Sequence, residues 1–247
     1  MDFRAALLEQ TRAFGDLIRS GDPSTPVPTC GEWTLKHLFR HVGRGNRWAA
    51  QIIAERRNQP LDPRDVRDGR PPEDLDASIE WLNAGAQLII DAVDRVGSDR
   101  VWTFTGPRPA GWWIRRRVHE VAVHRLDAAL ALGREVELPT DLAADGLSEW
   151  IELATVDKSR APALELGQSV HLHATEEQLG PTGEWTILHD DEGVSWSHSH
   201  GKGSVALRGP VNGLLLATVR RKAAADAGLE VFGDETVWDG WLERTPF

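Results

Sequence analysis

Glu120 and His124 stand four residues apart in a stretch with helical patterning, a spacing that stacks two side chains on one face. A carboxylate oxygen and an imidazole nitrogen placed this way can share one cation. Far upstream, His41 projects from the same helical stripe as Gly45, Trp48 and Ile52, an apolar setting in which an unpaired imidazole is costly. If those helices face each other in a bundle, His41, Glu120 and His124 supply three ligands and leave positions for water and substrate, the pattern of a catalytic zinc site. Two histidines and a carboxylate also make the facial triad of non-haem iron. The competing reading is a chance Glu-x-x-x-His pair and a core histidine bonded to a carbonyl.

Other chemistry is weaker. Cys30 precedes the second predicted helix, where a helix dipole favours a thiolate; its alternative is a cysteine that is not the nucleophile. His171 and His173 alternate along one predicted strand, and His198 and His200 have the same spacing, so either pair could face one side of a sheet and bind metal. His119 lies about 100° around the helix from Glu120 and is expected to be structural or to touch a ligand. Asp127, one turn beyond His124, is expected to orient that ligand or to pair with arginine. Arg116 and Arg117 offer guanidinium forks for a carboxylate, or else form a solvated helix end. Gly43-x-Gly45 lies inside a helical pattern with no strand before it, which excludes a nucleotide-binding loop.

The elements that must position these residues differ between the two halves. Apolar residues at three-to-four spacing predict helices over 2–19, 34–57, 73–96 and 112–133, with Gly133 as the last C-terminal cap. Four helices of this length suggest a bundle. A further helix over 141–157 precedes short alternating runs at 169–175, 184–188, 193–197 and 204–208, each bounded by turn residues as hairpin strands should be. Pro210 opens a helix through Arg221, residues 230–232 form a last strand, and the chain closes on 237–242. The expectation is a helical bundle over residues 1–140 followed by a smaller α+β domain over 141–247, with a mainly antiparallel sheet, closing over the site.

Composition narrows the partners. The chain has 247 residues, 28 basic against 38 acidic side chains and a net charge of −10. Residues 1–140 carry 20 of each sign, so the acidic excess is entirely C-terminal. A surface of that sign repels phosphate, which makes nucleic acid and anionic membranes poor partners. The single cysteine excludes an internal disulfide and cysteine-based zinc or iron–sulfur sites, and it fits a reducing cytoplasm. No signal peptide or membrane span is evident. Eleven Trp beside no Tyr supply rigid rings of the kind that wall apolar pockets.

Three stretches carry a resemblance: PVPTCGEWTLKHLFRHVGRGNRWA (26–49), WWIRRRVHEVAVHRLDA (112–128) and VHLHAT (170–175). In order, spacing and flanks they resemble the mycothiol-dependent maleylpyruvate isomerase family, whose N-terminal part is a DinB-like metal-binding four-helix bundle. A GDETVWDGWL tail is similar to its C-terminal module. The resemblance implies a divalent metal, usually zinc, on His41, Glu120 and His124, with mycothiol or another low-molecular-weight thiol as cosubstrate. It implies a thiol site that includes an arginine late in a C-terminal helix, matched by Arg221 with Arg220 as the fallback, and Trp48 is grouped with them for its place on the His41 stripe. Arg221, Arg116 and Asp127 are the candidate catalytic residues. His37 stands where the family usually has Asp, and Gly31 where it usually has Pro.

The implied activity is S-transfer to a small electrophile, or cis–trans isomerisation by thiol addition and elimination, in a cytoplasmic monomer or weak homodimer. A non-catalytic metal or small-molecule binding protein is the alternative class.

Overall fold

The computed structural model describes residues 1–156 and 162–245, in two compact units, Met1–Val136 and Glu137–Phe247. The first unit is built on α1 (Phe3–Arg19), α2 (Leu35–Ala54), α3 (Leu75–Val96) and α4 (Trp112–Ala131). Polar caps set the starts. The Asp2 carboxylate accepts from the Arg4 and Ala5 amides, and Asp74 accepts from Ala77, so α3 begins after Asp74 instead of at Glu73. Past the end of α4, Gly133 takes φ +63°, a left-handed conformation that suits glycine, as the sequence led one to expect.

α1 packs on α3 and α4, and α2 packs on the same two helices, around Leu7, Phe14, Leu38, Val42, Ile52, Leu82, Ile89, Val118 and Val121. α4 is buried around most of its circumference, which forces Arg116, Arg117, His119, His124 and Asp127 into the interior along with its apolar residues. Helices α2 and α3 meet closely at Gly43, where a Cβ would sit 2.0 Å from the Trp81 ring. Between α3 and α4 the chain also makes a two-stranded antiparallel ladder, β1 (Arg100–Val101) with β2 (Arg108–Pro109), which no periodicity announced because each strand has two residues.

The second unit runs α5 (Thr140–Val156), β3 (Ser169–Ala174), β4 (Glu184–Asp190), β5 (Gly193–Ser197), β6 (Val205–Gly209), α6 (Val211–Thr218), β7 (Glu230–Gly233) and α7 (Glu235–Arg244). The predicted end of α5 at Asp157 lies outside the described residues. The sheet order is β5-β4-β3-β6-β7. All neighbours are antiparallel except β3 and β6, so the expectation of hairpin strands throughout is corrected at β6. Crossing to the far side of β3 makes β3 central and places its buried Val170 and Leu172 beside Val205 and Leu207. Trp185 and Ile187 of β4 share that buried face, and the Trp185 indole donates to Ser148 Oγ on α5 at 2.8 Å. By alternation His171, His173, Glu184 and Thr186 occupy the opposite face.

Candidate metal centre

α2 contributes His41, and α4 contributes Glu120 and His124. Glu120 Oε2 lies 3.7 Å from His41 Nε2 and 3.7 Å from His124 Nε2, and one donor atom from each residue falls within 4.8 Å of the others. Zinc bonds of about 2.1 Å in a tetrahedron put neighbouring donors about 3.4 Å apart, so the two gaps from Glu120 Oε2 to the imidazoles are only a few tenths of an ångström too long. The two imidazoles meet edge to face with centroids 4.9 Å apart. His124 is buried, whereas the His41 side chain is 35% exposed and packs against the Trp33 ring at 4.9 Å. Two imidazole nitrogens and a carboxylate oxygen are suitable donors for a divalent transition ion, and the residues present fit one.

The surroundings set the protonation these donors need. Asp127, fully buried, accepts from His124 Nδ1 at 2.8 Å and from Thr29 Oγ1 at 2.6 Å, and the Cys30 thiol donates to it at 3.5 Å. An Nδ1–H pointing at a carboxylate leaves the His124 Nε2 lone pair for an ion, the usual support of a metal-binding histidine. Burial pushes the Glu120 carboxyl up, but Arg116, His41, Arg117 and His124 together hold it well below the ordinary carboxylate range. Arg116 pairs with Oε1, which leaves Oε2 to face the histidines. Arg117 Nη1 is 3.4 Å from Oε2, its Nε donates to Asn46 Oδ1 at 2.9 Å and its Nη2 to the Val42 carbonyl at 3.3 Å. Gly45 makes room for this guanidinium, because a Cβ there would come within 2.7 Å of it. Burial lowers the pKa of His41 against the opposing pull of Glu120, which favours the neutral ring that a metal requires.

Residues 4–129 match the profile of the mycothiol maleylpyruvate isomerase N-terminal domain, and residues 141–240 match that of the same family's C-terminal domain. The chain belongs to the mycothiol maleylpyruvate isomerase family. It resembles the crystal structure of the mycothiol-dependent maleylpyruvate isomerase, with a TM-score of 0.54 at 16% identity over 90% of this chain and 89% of that one. A histidine-to-alanine mutant of that isomerase gives the same TM-score at 17% identity and the same coverage. Two uncharacterized proteins of Mycobacterium tuberculosis are each 30% identical over 138 residues, covering 53% of this chain and 66% of the relative's own length.

Within this member of the maleylpyruvate isomerase family, the remaining sequence expectations fall in several places. Trp48 donates its indole N–H to the Leu61 carbonyl at 2.7 Å and joins Trp102, Phe104, Trp112 and Trp113 in an aromatic cluster, two helical turns along α2 from His41. His119 is buried with its ring edge-on to Phe3. Cys30 ends a single 3-10 turn, Pro28–Cys30, five residues before α2, so it meets Asp127 and not the helix N-terminus. In the second unit, Arg220 is exposed and takes φ +59° just past α6, while Arg221 Nη1 donates to the Val219 carbonyl at 2.8 Å. His37 accepts from the Thr34 amide through Nδ1 at 3.2 Å and so completes the capping box that opens α2. Thr29, Trp33 and Asn46 were not foreseen. A Pro-Thr-Cys turn ahead of a helix is a weak local signal for Thr29, and nothing in the spacing links it to a residue 98 positions later.

Proposed function

We propose that this chain is a divalent-metal enzyme, with zinc as its ion, that uses a low-molecular-weight thiol, mycothiol, to attack a small electrophile. The outcome is either S-transfer or cis–trans isomerisation of a maleylpyruvate-like unsaturated acid. The convergence of His41, Glu120 and His124 within 4.8 Å carries this reading. A dication on these three side chains would lower the pKa of a coordinated thiol enough to make it nucleophilic at neutral pH.

The chain's own residues supply the rest. Asp127 keeps the His124 Nδ1 proton, and Arg116 holds Glu120 so that one oxygen faces the histidines. Glu120 contributes one negative charge among Arg116, Arg117 and the ion, so the pocket stays cationic and favours an anionic sulfur and a substrate carboxylate. We assign Arg221, with Arg220 as the alternative, to a carboxylate of the thiol or substrate, and Trp48 to the apolar wall. In isomerisation the thiol adds across the double bond, forming a C–S bond while a proton goes to the neighbouring carbon. Rotation about the resulting single bond and elimination restore both alkene and thiol, so no thiol is consumed. In transfer the S–C bond persists.

The test pairs metal analysis with product analysis. His41→Ala and Glu120→Ala are each expected to lose the bundle's equivalent of zinc and at least about 100-fold in thiol-dependent turnover, as for a part needed at the chemical step. Retention of that equivalent by both variants overturns the ligand assignment. Zinc-loaded wild type that neither conjugates nor isomerises electrophiles with mycothiol, bacillithiol or glutathione overturns the thiol chemistry in favour of a binding protein.

A further inference from the structure

The second unit contains a donor group that the chemistry above does not use. His171 on β3, Glu184 at the head of β4 and His200 beyond the end of β5 meet on the sheet face opposite Val170, Leu172 and Trp185. Glu184 Oε2 lies 2.8 Å from His171 Nε2 and 2.7 Å from His200 Nδ1. His173 sits directly across from Glu184 in the strand register, its ring 6.0 Å from that of His171 and 6.3 Å from that of His200. The sequence pattern suggested the pairs 171 with 173 and 198 with 200. The structure instead gathers 171, 184 and 200, because the strand ends at Ser197 and the following segment folds back over the start of β4.

That fold-back is fastened at two points. His198 Nδ1 donates to the Glu184 carbonyl at 2.8 Å, and Thr186 Oγ1 donates to the Ser199 carbonyl at 2.8 Å. His200 is 77% exposed, so no burial of apolar surface holds its ring over the sheet. We propose that His171, Glu184 and His200 form a second binding site for a divalent transition-metal ion, with His173 beside it as a further imidazole. Their donor atoms all lie within 4.8 Å of one another. An ion would replace the two imidazole protons now aimed at one carboxylate oxygen, and each imidazole nitrogen would part from that oxygen by about 0.6–0.7 Å to reach tetrahedral zinc spacing. Two imidazoles and one carboxylate suit zinc, cobalt, nickel or ferrous iron, and they leave positions open on the exposed side.

This inference is independent of the bundle chemistry and is tested without it. Tag-free, full-length protein carrying His41→Ala and His124→Ala is titrated with Zn(II) against a chromophoric chelator, and with Co(II) by its visible absorption. One remaining equivalent is expected. Adding His200→Ala is expected to raise its Kd at least about 100-fold, since even an outer partner of a ligand is worth 10–100-fold. Exposure of His200 means that the metal-free melting temperature should not change. Should the double variant fail to fold, the wild-type chain answers by stoichiometry, two equivalents falling to one in His200→Ala. No zinc on the double variant above a buffer control, or a Kd within twofold after His200→Ala, overturns the site; in the wild-type arm, an unchanged stoichiometry does so.

Discussion

The bundle and the sheet each gather two histidines and one glutamate, but they hold them by different means. In the bundle the donors come from helices far apart in sequence, and the glutamate is enclosed by charge: Arg116 on one oxygen, Arg117 near the other and Asp127 behind His124. On the sheet, strand register sets Glu184 opposite His173, and hydrogen bonds from the His198 and Thr186 side chains to main-chain carbonyls bring the third donor over from an exposed segment. A site held by buried charge should fail when one charge is removed, because its partners are then stranded away from water. A site held by strand register should lose its ion and keep its fold.

The largest expected difference is at the two glutamates. Glu120→Ala leaves Arg116 and Arg117 buried without their shared carboxylate, and about 3–5 kcal/mol of unfolding free energy should be lost in urea titrations of the metal-free protein. Glu184→Ala should cost less than about 1.5 kcal/mol, the scale of ordinary hydrogen bonds at a partly open face. Equal losses would break the comparison. Next comes packing: Gly45→Ala drives a Cβ into the Arg117 guanidinium and should cost about 1–3 kcal/mol, with a parallel loss of bundle zinc and none from the sheet. Asp127→Asn then sharpens the account of His124. Removing the carboxylate that fixes the ring should weaken zinc at the bundle about 10–100-fold by competitive chelation, while the sheet's affinity stays put.

The helices were readable because they are long and periodic, and because Asp2, Asp74 and Gly133 mark their ends chemically. The meeting of the bundle's three donors was readable for the same reason: Glu120 and His124 are one turn apart, so helix geometry alone pairs them, and His41 needed only the bundle. Asp127 is the intermediate case, since its turn beyond His124 suggested an orienting role but not the bonds from Thr29 and Cys30. What escaped depends on how elements are arranged. Arg116 and Arg117 admit two readings: charge alone suggests a solvated end, whereas the apolar wheel of α4 predicts the interior place that Arg116 takes with His124 and Asp127. The parallel pairing of β6 with β3 is hidden because alternation gives a strand its faces but not its neighbour. Glu184 has no periodic partner at all, and its meeting with His171 and His200 comes from β3–β4 register and a fold-back that no local spacing encodes.

The smallest effect concerns the start of α2, one turn before His41. There the Nδ1 of His37 accepts from the Thr34 amide at 3.2 Å, where a carboxylate oxygen could serve equally. A neutral ring can satisfy that amide but brings no negative charge to the helix N-terminus, where a carboxylate is worth about 0.3–1 kcal/mol. His37→Asp should therefore raise the melting temperature by about 1–3 °C, given about 2–4 °C per kcal/mol for a chain of this size. His37→Ala, which leaves the amide to water at an exposed position, should lower it by a similar amount. Neither change reaches Glu120, Arg116 or Arg117, so zinc affinity at the bundle should move less than about twofold if the buried charges set that site's geometry, since a tenfold change needs 1.4 kcal/mol. A larger shift in calorimetric or chelator titrations would mean that the helix start, and not the charge network, positions His41.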